Sequence, residues 1–261
     1  MSERPDPPTR FRLSQVCRST RSGIAEINLP EGRFLAWTEG KPFKPIAVSA
    51  PLFVRLTSTI YEIDRETLLK VCHAHSFPKL LVWRMLGRSR AQVEASSNRR
   101  IHALGLSTPE VIATGSILNP FSRLDSALMV QRVPESRVAI AFLNDNDVPM
   151  ATRMEFLERM VEGLQTMHRA GVVLRDFRLN NILVSGRDIT PIWIDNDLKR
   201  VITRAQIARK LYSTLRRVLT KDAPRIPGPL ARQLRSELAN MAESQGCNRD
   251  WTACDNGRQD A

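Results

Sequence analysis

From Phe53 to Val71 the chain reads FVRLTSTIYEIDRETLLKV, alternating apolar and polar side chains with the two-residue period of a strand. Asp64-Arg65 interrupts the alternation as a hairpin turn would. The period then changes. SRAQVEASSNRRIHALG has helical spacing, with Ser89 and Gln92 placed as a capping box and Gly105 as its stop. PEVIATG and SALMVQRV return to strand character. Residues 1–45 are Pro-rich and carry few periodic signals, apart from a strand at GRFLAW, and are read as an N-terminal extension.

The second half is helical. ATRMEFLERMVEGLQTMHRAG opens on a Thr152/Glu155 capping box and stops at Gly171, with Met154, Leu157, Val161, Leu164 and His168 at helical spacing. NILV and PIWI predict a short hairpin across SGRDIT. Thr203 and Gln206 predict a cap for a helix that turns Ile207, Leu211, Leu215 and Val218 to one side. Pro229 opens a last helix bearing Leu230, Leu234, Leu238 and Met241. The expected fold is α+β in two lobes: a small β-rich lobe over 46–133 and a helical lobe over 134–244, followed by a polar tail at 245–261.

Composition changes this picture in one respect. The hydrophobic and charged fractions, 42% and 25%, are those of an ordinary globular chain. The net charge of +12 and pI near 10.4 call for an anionic partner. Nucleic acid is not expected, because aromatics make up only 6% and no RNP motif, zinc finger or aromatic-lined basic groove is present. Cys17, Cys72, Cys247 and Cys254 form no CxxC pair and read as scattered thiols. No apolar run approaches the roughly 18 residues of a membrane span. The N-terminus lacks a hydrophobic signal segment, so a cytoplasmic location is expected.

The candidate chemistry lies in LRDFRLNNILV, where Asp176 precedes Asn181 by five residues and an apolar strand follows. Phosphoryl transfer requires positioning and charge neutralisation more than covalent chemistry. Five parts recur in such sites, and the chain supplies them in order. Lys70, at the end of ETLLKV, would hold the α- and β-phosphates, and Glu94 on the next helix would hold Lys70. Asp176 would take the acceptor proton. Asn181 and Asp195, the latter following the strand PIWI, offer hard oxygens to Mg²⁺. Arg178 could place a cation on the transferring group.

Together, SRAQVEASSNRRIHALGLSTPEVIATG, ALMVQRV, LRDFRLNNILV and IWIDNDLKRV resemble the bacterial lipopolysaccharide kinase family, a branch of the protein-kinase-like fold, over roughly residues 50 to 220. The resemblance implies ATP- and Mg²⁺-dependent phosphorylation of a Kdo or heptose hydroxyl on the lipid A–core. It implies peripheral contact with the anionic cytoplasmic face of the inner membrane. It also sets Gln131 to Val133 where the backbone would meet adenine. Three departures accompany it. Thr57, Ser58 and Thr59 stand where a Gly-rich loop would cover phosphates, Leu174 stands where histidine usually precedes Arg-Asp, and Asp195-Asn196-Asp197 lacks Phe and Gly. The alternatives are a pseudokinase or regulatory nucleotide-binding module, and an atypical Ser/Thr protein kinase.

Overall fold

The computed structural model describes residues 23–29, 32–40, 46–47, 50–73, 89–119, 122–186, 188–200 and 204–244. They divide into two compact units. The first holds the described residues up to Asn98 together with Pro109–Val133, and the second holds Arg99–Thr108 and the described residues from Pro134 onward.

The first unit is a sheet with one helix laid on it. Its elements are β1 (Ile24–Leu29), β2 (Gly32–Gly40), β3 (Ile46–Ala47), β4 (Pro51–Arg55), β5 (Ser58–Glu62), β6 (Thr67–His73), α1 (Arg90–Ala103, of which the residues from Arg99 are assigned to the second unit), β7 (Val111–Ile117) and β8 (Leu124–Gln131). The eight strands are ordered β3-β1-β2-β7-β8-β6-β5-β4, antiparallel except where β1 meets β3. Residues 1–45, expected to be an extension, thus contain two sheet strands in their described part. Ile27, Leu29 and Ala36 of β1 and β2 are buried with Tyr61, Leu69, Val71 and Ala127 in one core. The signal was present in IAEINL, whose Ile27 and Leu29 keep the strand period, but one short alternation is weak evidence alone.

The run from Phe53 to Val71 folds as three strands rather than one hairpin. Its second turn is Asp64 onward, where the Asp64 carboxylate accepts the Glu66 N–H at 2.8 Å. The first turn is Leu56-Thr57, bounded by the pair Arg55 and Ser58. It carries no Gly, Pro, Asn or Asp, so nothing in the sequence marked it.

The second unit packs helices around short strands. It comprises β9 (Ser136–Val138), α2 (Ala139–Leu143), α3 (Met150–Arg169), β10 (Val172–Leu174), a 3₁₀ turn (Leu179–Asn181), β11 (Ile182–Ser185), β12 (Pro191–Trp193), β13 (Leu198–Arg200), α4 (Arg204–Lys221), a 3₁₀ turn (Ala223–Arg225) and α5 (Gly228–Ser244). Phe156, Met160 and Leu164 of α3, Leu215 and Val218 of α4, and Leu230, Leu234 and Leu238 of α5 close one core around Trp193 and Phe177. β11 and β12 form the expected hairpin.

Helix ends test the capping expectations. At α1, Ser89 Oγ accepts the Gln92 N–H at 3.3 Å and Gln92 Oε1 accepts the Ser89 N–H at 3.2 Å, completing the reciprocal box. Its far end closes with Leu106 N–H on the Ile101 carbonyl and Gly105 N–H on that of His102, while Gly105 takes φ +75°. The Thr152/Glu155 box does not form. Pro149 is the cap of α3 and its carbonyl accepts the Arg153 N–H, so Thr152 falls inside the first turn. Glu155 instead pairs with Arg159 at 2.6 Å, four residues on. Thr203 lies outside the described residues.

Candidate active site

In the first unit Lys70 and Leu128 are cross-strand partners and therefore share a face of the sheet. Helix α1 lies over that face, with Ala91 and Ala95 packed on Leu128. Two alanines one turn apart allow close approach, and Glu94 beside them reaches Lys70. Lys70 Nζ donates to Glu94 Oε2 at 2.6 Å, with each side chain 12% exposed. The start of α1 is fixed from β8: the buried Asp125 accepts the Arg90 N–H at 2.8 Å and Ser126 Oγ accepts that of Ala91 at 3.1 Å. Beside Lys70, burial pushes the Cys72 thiol up to about 12, so it stays protonated and inert.

The Leu56-Thr57 turn, where the resemblance would set a Gly-rich loop, is pinned. The carbonyl of Thr57 accepts the His73 N–H at 2.9 Å and Arg90 Nη1 at 3.4 Å. Thr59 Oγ1 and His73 Nε2 lie 2.9 Å apart.

In the second unit the loop from Leu174 to Asn181 is clamped from α4. Thr214 Oγ1 donates to the Leu174 carbonyl at 3.3 Å. Arg217 Nη1 donates to Asp176 Oδ1 at 2.6 Å and to the Arg175 carbonyl at 3.4 Å. Asp222, fully buried just past the helix, accepts the Leu179 N–H at 3.0 Å and the Nε and Nη2 of Arg178 at 2.7 to 2.9 Å. Positions 214, 217 and 222 thus meet successive parts of the loop. Leu174, which stands where the resemblance would set histidine, is buried in β10 opposite Leu198 and held through its carbonyl. Asp176 itself stays open, its side chain 57% exposed.

Asn181 and Asp195 are brought together by the backbone: Ile194 N–H donates to the Asn181 carbonyl at 3.0 Å. Asn181 Nδ2 donates to the Asp176 carbonyl at 3.0 Å, which leaves its side-chain oxygen as the donor atom for a cation. Asp195 sits at φ +56°, a left-handed conformation that Asp tolerates better than most residues. One amide and one carboxylate oxygen fit Mg²⁺, which keeps water and phosphate for the rest of its shell. Among the described residues no three His, Cys, Asp or Glu side chains converge as a larger metal cluster.

The strand before Asp195 is buttressed by the LST segment that follows α1. Trp193 N–H donates to the Ser107 carbonyl at 2.9 Å, and Thr108 Oγ1 and Asn196 Nδ2 both donate to the Trp193 carbonyl at 2.9 Å. Asn196 is buried and Asp197 pairs with Arg175 at 3.1 Å, so all three residues of Asp-Asn-Asp have a place in the loop. Gly163 of α3 makes room for this strand, since a Cβ there would meet Trp193 Cζ2 at 2.8 Å.

Two expected site residues are engaged otherwise. Arg178 is held by Asp222, which raises its pKa, and is not turned to a phosphoryl group. The N–H of Gln131 donates to the Glu110 carbonyl at 2.9 Å and that of Arg132 to Glu66 at 2.7 Å, so neither is an open donor for adenine. Arg217, Thr214 and Asp222 were not singled out as site residues by sequence. Their only trace was spacing along one helix and the residue just past it, which has no meaning until that helix is known to face the loop.

The model of the Lipopolysaccharide kinase (Kdo/WaaP) family matches residues 60–244. A solved structure, WaaP in complex with acyl carrier protein, is similar over 76% of this chain and 88% of that chain, at 19% identity and a TM-score of 0.46. No curated protein matches the chain.

Proposed function

The chain belongs to the lipopolysaccharide kinase (Kdo/WaaP) family, whose members are kinases acting on core sugars, and from that premise we propose how its own residues divide the work. The reaction is transfer of the γ-phosphoryl group of ATP to a Kdo or heptose hydroxyl of the inner core. Lys70, oriented by Glu94, binds the α- and β-phosphates; backbone groups near Val133 receive the base. Asp176 accepts the proton of the attacking hydroxyl. Asn181 and Asp195 hold Mg²⁺, which would neutralise charge on the phosphates. Arg178, committed to Asp222, orders the loop that carries Asp176.

The observation that supports this reading most is the Lys70–Glu94 bond. The two residues are 24 apart in sequence, on the strand and helix where phosphoryl transfer needs them, and they meet at 2.6 Å. The test is phosphate transfer from Mg-ATP to purified lipid A–core, read by mass spectrometry. Asp176→Ala should reduce transfer by about 10²–10⁴-fold. Full activity in that variant would remove Asp176 from the mechanism. Bound ATP without transfer by the wild-type protein would favour the pseudokinase, which the pinned Leu56-Thr57 turn also suits.

We further propose that the protein works at a lipid surface through β4. This strand ends the sheet and exposes Leu52, Phe53 and Val54, with Leu56 beyond it 82% exposed. Arg55 stacks over the Phe53 ring at 4.9 Å. From Lys41 to Tyr61 the sequence has Lys41, Lys44 and Arg55 and no carboxylate. Exposed apolar side chains beside Arg55, in a stretch of sequence without carboxylates, suit the boundary of an anionic bilayer. No helix among the described residues is long and apolar enough to cross a membrane. Sedimentation with phosphatidylglycerol vesicles should fall sharply in Val54→Asp/Leu56→Asp; equal binding by variant and parent would exclude β4.

A further inference from the structure

Asp176 already has an arginine on it. The Arg217–Asp176 pair is exposed at 41% and 57% of its side chains, and both side-chain bonds of Arg217 to the described residues use Nη1 alone. A guanidinium carries five N–H donors, and the others of Arg217 make no bond to the described residues. Of the neighbouring cations, Arg178 is committed to the buried Asp222, and Arg175 pairs with Asp197 rather than with Asp176.

Resting on the phosphotransfer reading above, we propose that Arg217 selects the acceptor. It draws in a sugar whose reacting hydroxyl lies beside an anionic oxygen group, a carboxylate or a phosphate, and sets that hydroxyl on Asp176. Three features support this. The planar fork of arginine matches two oxygens of either anion. An exposed ion pair contributes about 1 kcal/mol or less, so an incoming anion can displace Asp176 from the guanidinium at little cost. The displacement matters to the chemistry as well, because Oδ1 of Asp176 is released as the acceptor arrives. A neutral sugar leaves that oxygen covered and gains nothing from Arg217. Helix α4 supports the exchange without moving, since its Thr214 and the adjacent Asp222 hold the loop independently of Arg217.

The test uses the full chain with three forms of deacylated core oligosaccharide: native, enzymatically dephosphorylated, and methyl-esterified at its carboxylates. Acceptor kcat and KM are measured at saturating ATP for the parent, Arg217→Met and Arg217→Lys. The parent should lose about tenfold or more in kcat/KM, carried by KM, on at least one neutralised form, the size of a lost charge-assisted hydrogen bond. Arg217→Met should show the same loss on the native form and no further loss on that neutralised form. Arg217→Lys should recover part of it, with KM for ATP unchanged throughout. Which neutralised form matters tells a sugar acid from a phosphorylated sugar. An unchanged acceptor KM in Arg217→Met, or an equal penalty on all three forms, overturns the role of Arg217. A parent protein that phosphorylates no form overturns the phosphotransfer reading itself and this role with it.

Discussion

Two ion pairs of equal length behave as opposites in this protein. Lys70–Glu94 and Arg217–Asp176 both close at 2.6 Å, but the first is 12% exposed on each side and the second 41% and 57%. Charges withdrawn from water interact strongly and pay heavily for losing a partner, whereas charges in water exchange partners readily. The first pair is therefore a fixed fitting between a strand and a helix, holding a lysine at one position. The second is a contact that can open when something better arrives. In the phosphotransfer proposed above both kinds have a use: a rigid grip would serve the nucleotide, and an exchangeable contact would serve a carboxylate that meets a new acceptor each cycle.

The largest effect should come from removing one member of each pair. Glu94→Ala leaves the largely buried Lys70 without Glu94 and should lower unfolding free energy by about 3 kcal/mol, against about 1 kcal/mol or less for Asp176→Ala. Denaturant melts of the two variants measure the difference. Equal losses would break the comparison. The double variant Lys70→Met/Glu94→Leu should recover much of the stability while abolishing transfer, separating the structural part of the pair from its chemistry.

An effect of comparable size isolates burial without any partner. His168 of α3 is buried, its Nδ1 makes no hydrogen bond, and desolvation pushes it down from 6.5 to about 4. Between those values the unfolded chain binds a proton that the folded chain refuses, so stability falls as pH drops from about 6.5 toward 4. At about 1.4 kcal/mol per unit the full loss is roughly 3 kcal/mol. Unfolding free energies at pH 7 and pH 4.5 should show this slope in the parent and lack most of it in His168→Leu. An unchanged slope would assign the acid sensitivity to carboxylates instead.

How far the chain could be read without its structure depended on the range of each signal. The α1 capping box was legible because Ser89 and Gln92 meet within one turn. The α3 box was misread because Pro149, three residues earlier, had already set the helix start. The Leu56-Thr57 turn carried no turn residue, and β1 was too short and too near a proline-rich stretch to stand out, whereas the strand at GRFLAW, now β2, was read. Arg178 shows the same limit at the site. Its spacing from Asp176 suggested a phosphate cation, but a buried carboxylate 44 residues later claimed it.

The sequence by itself determined the order of the candidate residues: Lys70, Glu94, Asp176, Asn181 and Asp195 follow one another in the chain, and the surrounding periods placed them on strand, helix and loop. Those are local properties, carried by side-chain type and spacing. Only the tertiary structure decided which charges are fixed and which are free to exchange. Burial and distance set the strength of an ion pair, and both depend on which helix face meets which loop. That is why the exposed arginine on Asp176, unremarkable among the arginines of the chain, became visible only once α4 was in place.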